Sequence, residues 1–310
     1  MAAMLEDGIP EQRFDLAGLL VQRAFTYLTG APKQFKTFLA LAWSICLASG
    51  EPFAGRAVSG DHRVLFIEAE NWRQIPKRFA QLCAGYDVDH RTALKSIRFF
   101  KPNRPLRLEN EAHAAELIQI AKGWGATLTV IDSFVRVHGL DENSSKDMAL
   151  LANVGLLPLR DEAKCGILAL DHTPKGHYGK QRTGGEQVRG SGEKLAAADA
   201  HLDVDVHRKD GQTVIETKVE SFRLAEEPED SLYLRPHHTP NGGLWFAKRG
   251  APEWLSRGRR PTQRTGAAEI IKAARKINPE LSQARAIDLA VAAGYTESTA
   301  KRAYNQETAA

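Results

Sequence analysis

The stretch Tyr27–Leu41, YLTGAPKQFKTFLAL, constrains this chain more than any other. Gly30 is followed by Ala31, Pro32, Lys33 and Gln34, then Phe35 where a second glycine usually stands, then Lys36 and Thr37. This is most of a Walker A loop. A tight glycine turn aims backbone N–H groups at phosphate oxygens, the lysine brings positive charge to the β- and γ-phosphates, and the hydroxyl after it can ligate Mg²⁺. A strand over Ala24–Thr29 is predicted before the loop, and Phe38, Leu39, Leu41, Ala42, Ile45 and Cys46 recur at helical spacing behind it. Phe35 departs from the pattern, because an aromatic side chain is costly where φ must be positive. The alternative reading of the stretch is a proline-containing turn ahead of an ordinary amphipathic helix.

The order of the segments that follow favours the phosphate loop. Val64–Ile67 has the length of a buried strand and runs into Glu68, Ala69 and Glu70; at strand period the two glutamates share a face at the carboxyl end of a strand, where open α/β sheets bind ligands. Either glutamate can orient a water against a γ-phosphate, or both can be a solvated strand end. An amphipathic helix is predicted over Arg73–Cys83 and another over Glu111–Ala121. Thr127–Ile131 is a second apolar strand ending in Asp132, a Walker B arrangement whose carboxylate serves the metal's water shell. A polar loop over Phe134–Asp147 leads to a helix ending about Ala163, and Gly166–Leu170 ends in Asp171 and His172. Strands alternating with helices predict a mainly parallel sheet. Three short strands, Thr213–Glu220, Ser231–Leu234 and Leu244–Phe246, extend it in antiparallel fashion.

Two stretches carry basic charge. The glycine-rich segment after His172 holds Lys175, Lys180, Arg182 and Arg189, and a loop of that length beside a nucleotide edge either grips nucleic-acid phosphates or is a solvated insertion. Ala251–Gly266, with four arginines in SRGRRPTQR, reads as a basic linker (251–264) between a first domain (1–250) and a last one (265–310). In the last, Ala268, Ile271, Ala274 and Ile277 mark one helix. A helix-turn-helix pattern follows: Ala286, Leu289 and Ala290 inward, Gly294 at the turn, Thr296 as N-cap, and Lys301 and Arg302 on a second helix. Such a module contacts DNA or another protein. His201, Asp203, Asp205 and His207 alternate along one strand face, which reads as a wet face opposite a buried one and not as a metal site, since ligands on one strand do not converge.

The net charge of +4 permits a polyanionic partner without demanding one. The three cysteines, Cys46, Cys83 and Cys165, form no CxxC pair, which points to a reducing cytoplasm with neither disulfide framework nor zinc site. No membrane-span-length apolar run or secretory leader pattern is present, so no membrane association is expected.

With these pieces in order, the chain from about Phe25 to Leu234 resembles the RecA-fold ATPases of the RepA type, the hexameric replicative helicases of plasmids and phages, which are distantly DnaB-like. GAPKQFKT looks like a variant phosphate loop of that group, VLFIEAEN with RQIPKRF is similar to its strand, catalytic glutamate and helix, and VIDSFVRVHGLDENSS to its Walker B strand and loop. The resemblance implies an α/β, RecA-like core with a small C-terminal all-α or winged-helix module. It implies ATP and Mg²⁺ as cofactors, Glu70 as the residue activating water, Thr37 and Asp132 on the metal side, and His172 sensing the γ-phosphate. It makes the basic loop through Arg189 the DNA-facing one. It also places Lys218 and Arg223 as a basic pair reaching a neighbour's nucleotide, although their spacing is wider than the usual Lys-x-Arg. The implied activity is DNA unwinding or translocation by a homo-oligomeric ring on single- or double-stranded DNA, with the terminal module contacting DNA or a replication or regulatory protein. The alternative is an ATP-gated DNA-binding or assembly protein that does not unwind.

Overall fold

The computed structural model describes residues 13–172, 196–223 and 231–256, together with 270–272, 275, 282–292, 301 and 304. The chain divides into two compact units, Met1–Arg249 and Gly250–Ala310.

The first unit opens with a small antiparallel pair, β1 (Phe14–Leu16) and β2 (Leu20–Val21), whose Leu16, Leu19 and Leu20 are buried. Then come β3 (Phe25–Gly30), α1 (Lys36–Ser49), β4 (Val64–Glu68), α2 (Ile75–Gly85), a one-turn α3 (His90–Ala93), β5 (Ile97–Phe100), α4 (Glu111–Trp124) and β6 (Leu128–Asp132). A broken helix follows, α5 (Ser145–Leu151), a π-turn over Ala152–Leu156, and α6 (Leu157–Ala163), before β7 (Gly166–Leu170). The unit closes with β8 (Ala200–Lys209), β9 (Gln212–Phe222), β10 (Leu232–His238) and β11 (Leu244–Arg249).

All of these strands but the first two form one sheet in the order β11-β10-β9-β8-β3-β7-β6-β4-β5. From β8 to β5 neighbours are parallel, and from β8 to β11 they are antiparallel. The parallel strands are buried on both faces, which is why they read as unbroken apolar runs. One face packs Leu28, Phe66, Val130 and Leu168 with α1 and α2, and the other packs Tyr27, Ile67, Ile131 and Ile167 with α4, α5 and α6. The sequence pattern does not predict β5. It is four residues long and carries Arg98, too short and too charged for an apolar run to register.

The His201–His207 alternation is corrected. His201 and Asp203 are both buried, and the strand becomes wet only from Asp205 onward, because its first half lies between β3 and β9 inside the sheet.

The second unit, as described, is helical: α7 (Glu253–Ser256) and α8 (Gln283–Ala292). On α8 the buried residues are Ala286, Ile287 and Ala290, whereas Leu289 is exposed; the inward stripe is rotated from the one predicted. Gly294, Thr296 and Arg302 lie outside the described residues, and Lys301 is helical and exposed.

Candidate nucleotide site

Four strands of the parallel sheet end at one edge, and each delivers a polar group there. β3 ends in Gly30 and the loop to α1, β6 in Asp132, β7 runs into His172, and β4 into Glu68 and Glu70. Parallel register aligns these ends, since Glu68 lies opposite Asp132 and Asp132 opposite Leu170.

The loop from Ala31 to Phe35 wraps the N-terminus of α1, and three positions take positive φ: Gly30 at 153°, Lys33 at 65° and Phe35 at 62°. Gly30 cannot carry a side chain, because a Cβ there would meet the Val204 carbonyl oxygen at 2.6 Å. Phe35 occupies the left-handed region that a glycine would take at no cost. Its ring packs against Phe38 at 5.8 Å and edge-on to Phe246 of β11 at 6.1 Å. Aromatic burial of this kind stabilises by about 0.5–1.5 kcal/mol beyond area, which offsets part of a left-handed dihedral costing about 1–2 kcal/mol. No acidic residue occupies the first turn of α1, so its free N–H groups and dipole meet no counter-charge from its own helix.

Lys36 is 7% exposed and its Nζ donates to the Gly30 and Ala31 carbonyls at 2.8 and 2.9 Å, with His172 Nδ1 at 3.3 Å. Burial lowers its pKa to about 8, against the raising influence of Asp132 and its acidic neighbours. The Thr37 hydroxyl donates to Asp132 Oδ2 at 2.7 Å, joining the two predicted metal-side residues. Asp132 is pushed up to about 7 by burial and by Glu68, with the Thr37 hydroxyl acting in the other direction.

The structure separates the two glutamates. Glu68 is buried in β4, and its Oε1 accepts from the backbone N–H groups of Glu70 and Asn71, so it shapes the turn. Glu70 lies beyond the strand end, where the chain has bent, and accepts from Ser133 Oγ at 2.8 Å. The shared strand face expected for the pair is therefore not formed.

These groups line a cleft of about 520 Å³ that also takes in Asn71, Gln74, Arg78 and Ser133. Sequence reasoning missed those four. Gln74 and Arg78 stand one helical turn apart in RQIPKR, a spacing that places them together, and Arg78 covers the Phe38 ring at 5.1 Å. Thr29 was missed as well: its hydroxyl lies 2.7 Å from Asp203 Oδ1 and 2.8 Å from His201 Nε2, a buried network joining β3 to β8 beside the phosphate loop. Burial lowers the His201 pKa to about 4.

Lys218 and Arg223 stand apart from the cleft and from each other. Lys218 is paired in register with Asp203 and bridges Glu220 at 2.7 Å, while Arg223 follows Phe222, which pairs with Ala200 at the end of the sheet where β3 begins. Its guanidinium donates to the Ala196 carbonyl at 2.6 Å. Lys175, Lys180, Arg182 and Arg189 lie outside the described residues.

A glycine-initiated loop at a helix N-terminus, a lysine and hydroxyl behind it, and an aspartate ending a buried neighbouring strand define a P-loop ATPase built on a RecA-like sheet. The sequence places the chain within a family: residues 2–177 match the AAA_25 model of AAA domains, and the chain belongs to that family. No curated protein matches the chain. Among solved structures, the KaiC-like protein PH0186 from the archaeon Pyrococcus horikoshii OT3 superposes with a TM-score of 0.52 at 16% identity, covering 77% of this chain and 99% of that one. The RadB recombinase gives 0.49 at 17% identity over 74% of this chain and 92% of that one. A further solved ATPase domain gives 0.51 at 14% identity over 76% of this chain and 92% of its own. At such identities the likeness to the first and the third is one of fold.

Proposed function

We propose that the protein hydrolyses ATP with Mg²⁺ to move along or unwind DNA as a ring-forming oligomer of the RepA type, in a reducing cytoplasm. The observation that carries the ATP reading is the convergence of Lys36, the Thr37–Asp132 pair and Glu70 on one cleft at the carboxyl edge of the sheet.

The residues present fit a magnesium nucleotide. Three carboxylates, Glu68, Glu70 and Asp132, gather at a spot where burial disfavours the charge of Glu68 and Asp132, and a divalent cation reverses that disfavour. Thr37 and Asp132 would hold the ion, which, when bound, neutralises charge on the β- and γ-phosphates. The loop from Gly30 to Phe35 presents backbone N–H groups to the phosphates, and Lys36 turns from its own loop carbonyls to the phosphate oxygens. Glu70, released by Ser133, accepts a proton from the water that attacks the γ-phosphorus. His172, which already faces Lys36 Nζ, registers whether the γ-phosphate is there and passes that state to the segment behind it.

The phosphate loop holds no arginine, and Arg78 in the described cleft lies over the Phe38 ring, so the charge developing on the γ-phosphate is assigned to a neighbouring subunit. Arg223, with Lys218 as companion, is the proposed donor. Support for DNA as partner is the basic composition of the glycine-rich stretch holding Lys175 to Arg189 and of the stretch after Ala251, with Lys301 and Arg302 further along the sequence. Strand displacement on a forked duplex with ATP tests the reading. Displacement that requires hydrolysis supports it, and ATP-dependent binding without displacement leaves a DNA-binding switch in its place.

A further inference from the structure

A second cleft, of about 460 Å³, shares Glu68 and Glu70 with the nucleotide cleft and opens on the far side of Glu70. Its walls are the segment after β5, KPNRPLR (101–107), and the turn after β6 that carries Arg136. Four cations line it, Lys101, Arg104, Arg107 and Arg136, against the two glutamates at its inner end. Lys101 and Arg136 are exposed and make no ion pair among the described residues. Arg104 pairs at the surface with Glu116, an exposed contact worth little and readily exchanged. Arg107 is half-buried and bound to its own loop through the Leu106 carbonyl. Pro102 and Pro105 fix φ at two points of that loop, so its cations are presented on a stiff backbone. Beside them lies Trp72, half-exposed and held by edge-to-face packing on Phe99 with centroids 6.4 Å apart.

We infer that this cleft binds single-stranded nucleic acid: the cations take the phosphates and Trp72 stacks a base. A row of cations alone would suit any polyanion. An indole packed on Phe99 among them suits a strand whose bases are unpaired, because each base has a face to stack and a duplex does not offer it. The inference deepens the proposed DNA engagement and rests on it, and gives the strand a path next to Glu70 that involves neither the residues after His172 nor the terminal module.

The test uses the full chain and fluorescein-labelled oligo(dT), with binding read by anisotropy across a salt series without nucleotide. Lys101→Glu with Arg136→Glu should weaken binding at least tenfold and lower the salt slope by about 1.4, at about 0.7 for each single-strand phosphate no longer neutralised. Trp72→Phe should remove a quench of tryptophan fluorescence that oligo(dT) causes in the parent chain. Parent-like affinity and slope in the charge-reversed protein would overturn the inference. So would equal competition by poly-glutamate, which would make the groove an acidic-peptide site, or loss of self-association with oligo(dT) binding intact, which would make it a contact between copies. Should charge reversal prevent folding, Lys101→Ala and Arg136→Ala singly are each expected to lower the slope by about 0.7. Failure of the ATPase reading shows separately, as absent ATP turnover in a parent chain that still binds oligo(dT).

Discussion

At the scale of single residues, the phosphate loop holds a compromise at Phe35. Its backbone needs a left-handed dihedral that glycine supplies freely, and its ring offsets part of that cost through Phe38 and Phe246. Alanine keeps the dihedral cost and loses the ring, whereas glycine loses both. Phe35→Ala should therefore be less stable than Phe35→Gly by about 1 kcal/mol, measured by urea unfolding; equal stabilities would show that the dihedral costs nothing. Asp132 gives a second residue-level expectation. Its folded pKa, about 7, lies above its ordinary value of 3.8, so its contribution to stability is fully present below about 4 and is lost as pH rises through about 7. The unfolding free energy of the nucleotide-free protein, taken relative to Asp132→Asn, should fall across that window. A flat difference would mean that the carboxylate is not disfavoured in the cleft. The sequence points to Gly30, Lys36, Thr37 and Asp132 because few residue types suit their positions, and the structure brings Lys36, Thr37 and Asp132 to one cleft. Roles that depend on the path of the chain were not legible: the bend after Glu68 parts two glutamates that strand period places together, and only packing shows Ser133 and Arg78 in the cleft.

At the scale of elements, the parallel strands were readable because burial on both faces leaves an apolar run bounded by polar residues. β5 escaped because an edge strand of four residues needs no such run. The antiparallel strands extend beyond their predicted lengths. In β8 and β10 the outer halves, from Asp205 and from Arg235 onward, are wet and lack an apolar signature. The chain boundary is an element-level matter too, since Met1–Arg249 and Gly250–Ala310 are separate compact units. A chain ending at Gly250 should retain ATP turnover while losing affinity for duplex DNA or for a partner protein. Equal binding of every tested partner by the truncated and full chains, read by anisotropy, would deprive the terminal unit of the role proposed for it.

For the whole molecule, the proposed completion of hydrolysis by a neighbouring subunit would make activity a property of the assembly. An arginine supplied in trans can raise a rate by about 10³-fold or more. Arg223→Ala and Glu70→Gln subunits, each inactive alone, should regain turnover when mixed, because a mixed interface can carry an intact arginine beside an intact glutamate. A dead mixture of variants that still assemble would return Arg223 to its observed hydrogen bond with the Ala196 carbonyl and to no further role. The proposed movement and unwinding depend on the cleft being a site of ATP hydrolysis, and Lys36 is the group there whose charge no packing can replace. The most direct measurement is steady-state ATP turnover of the Lys36→Ala protein beside the parent, with circular dichroism and unfolding to establish that both are folded. Turnover in the parent and its loss in a folded Lys36→Ala protein is the predicted result; equal turnover in the two would contradict the account.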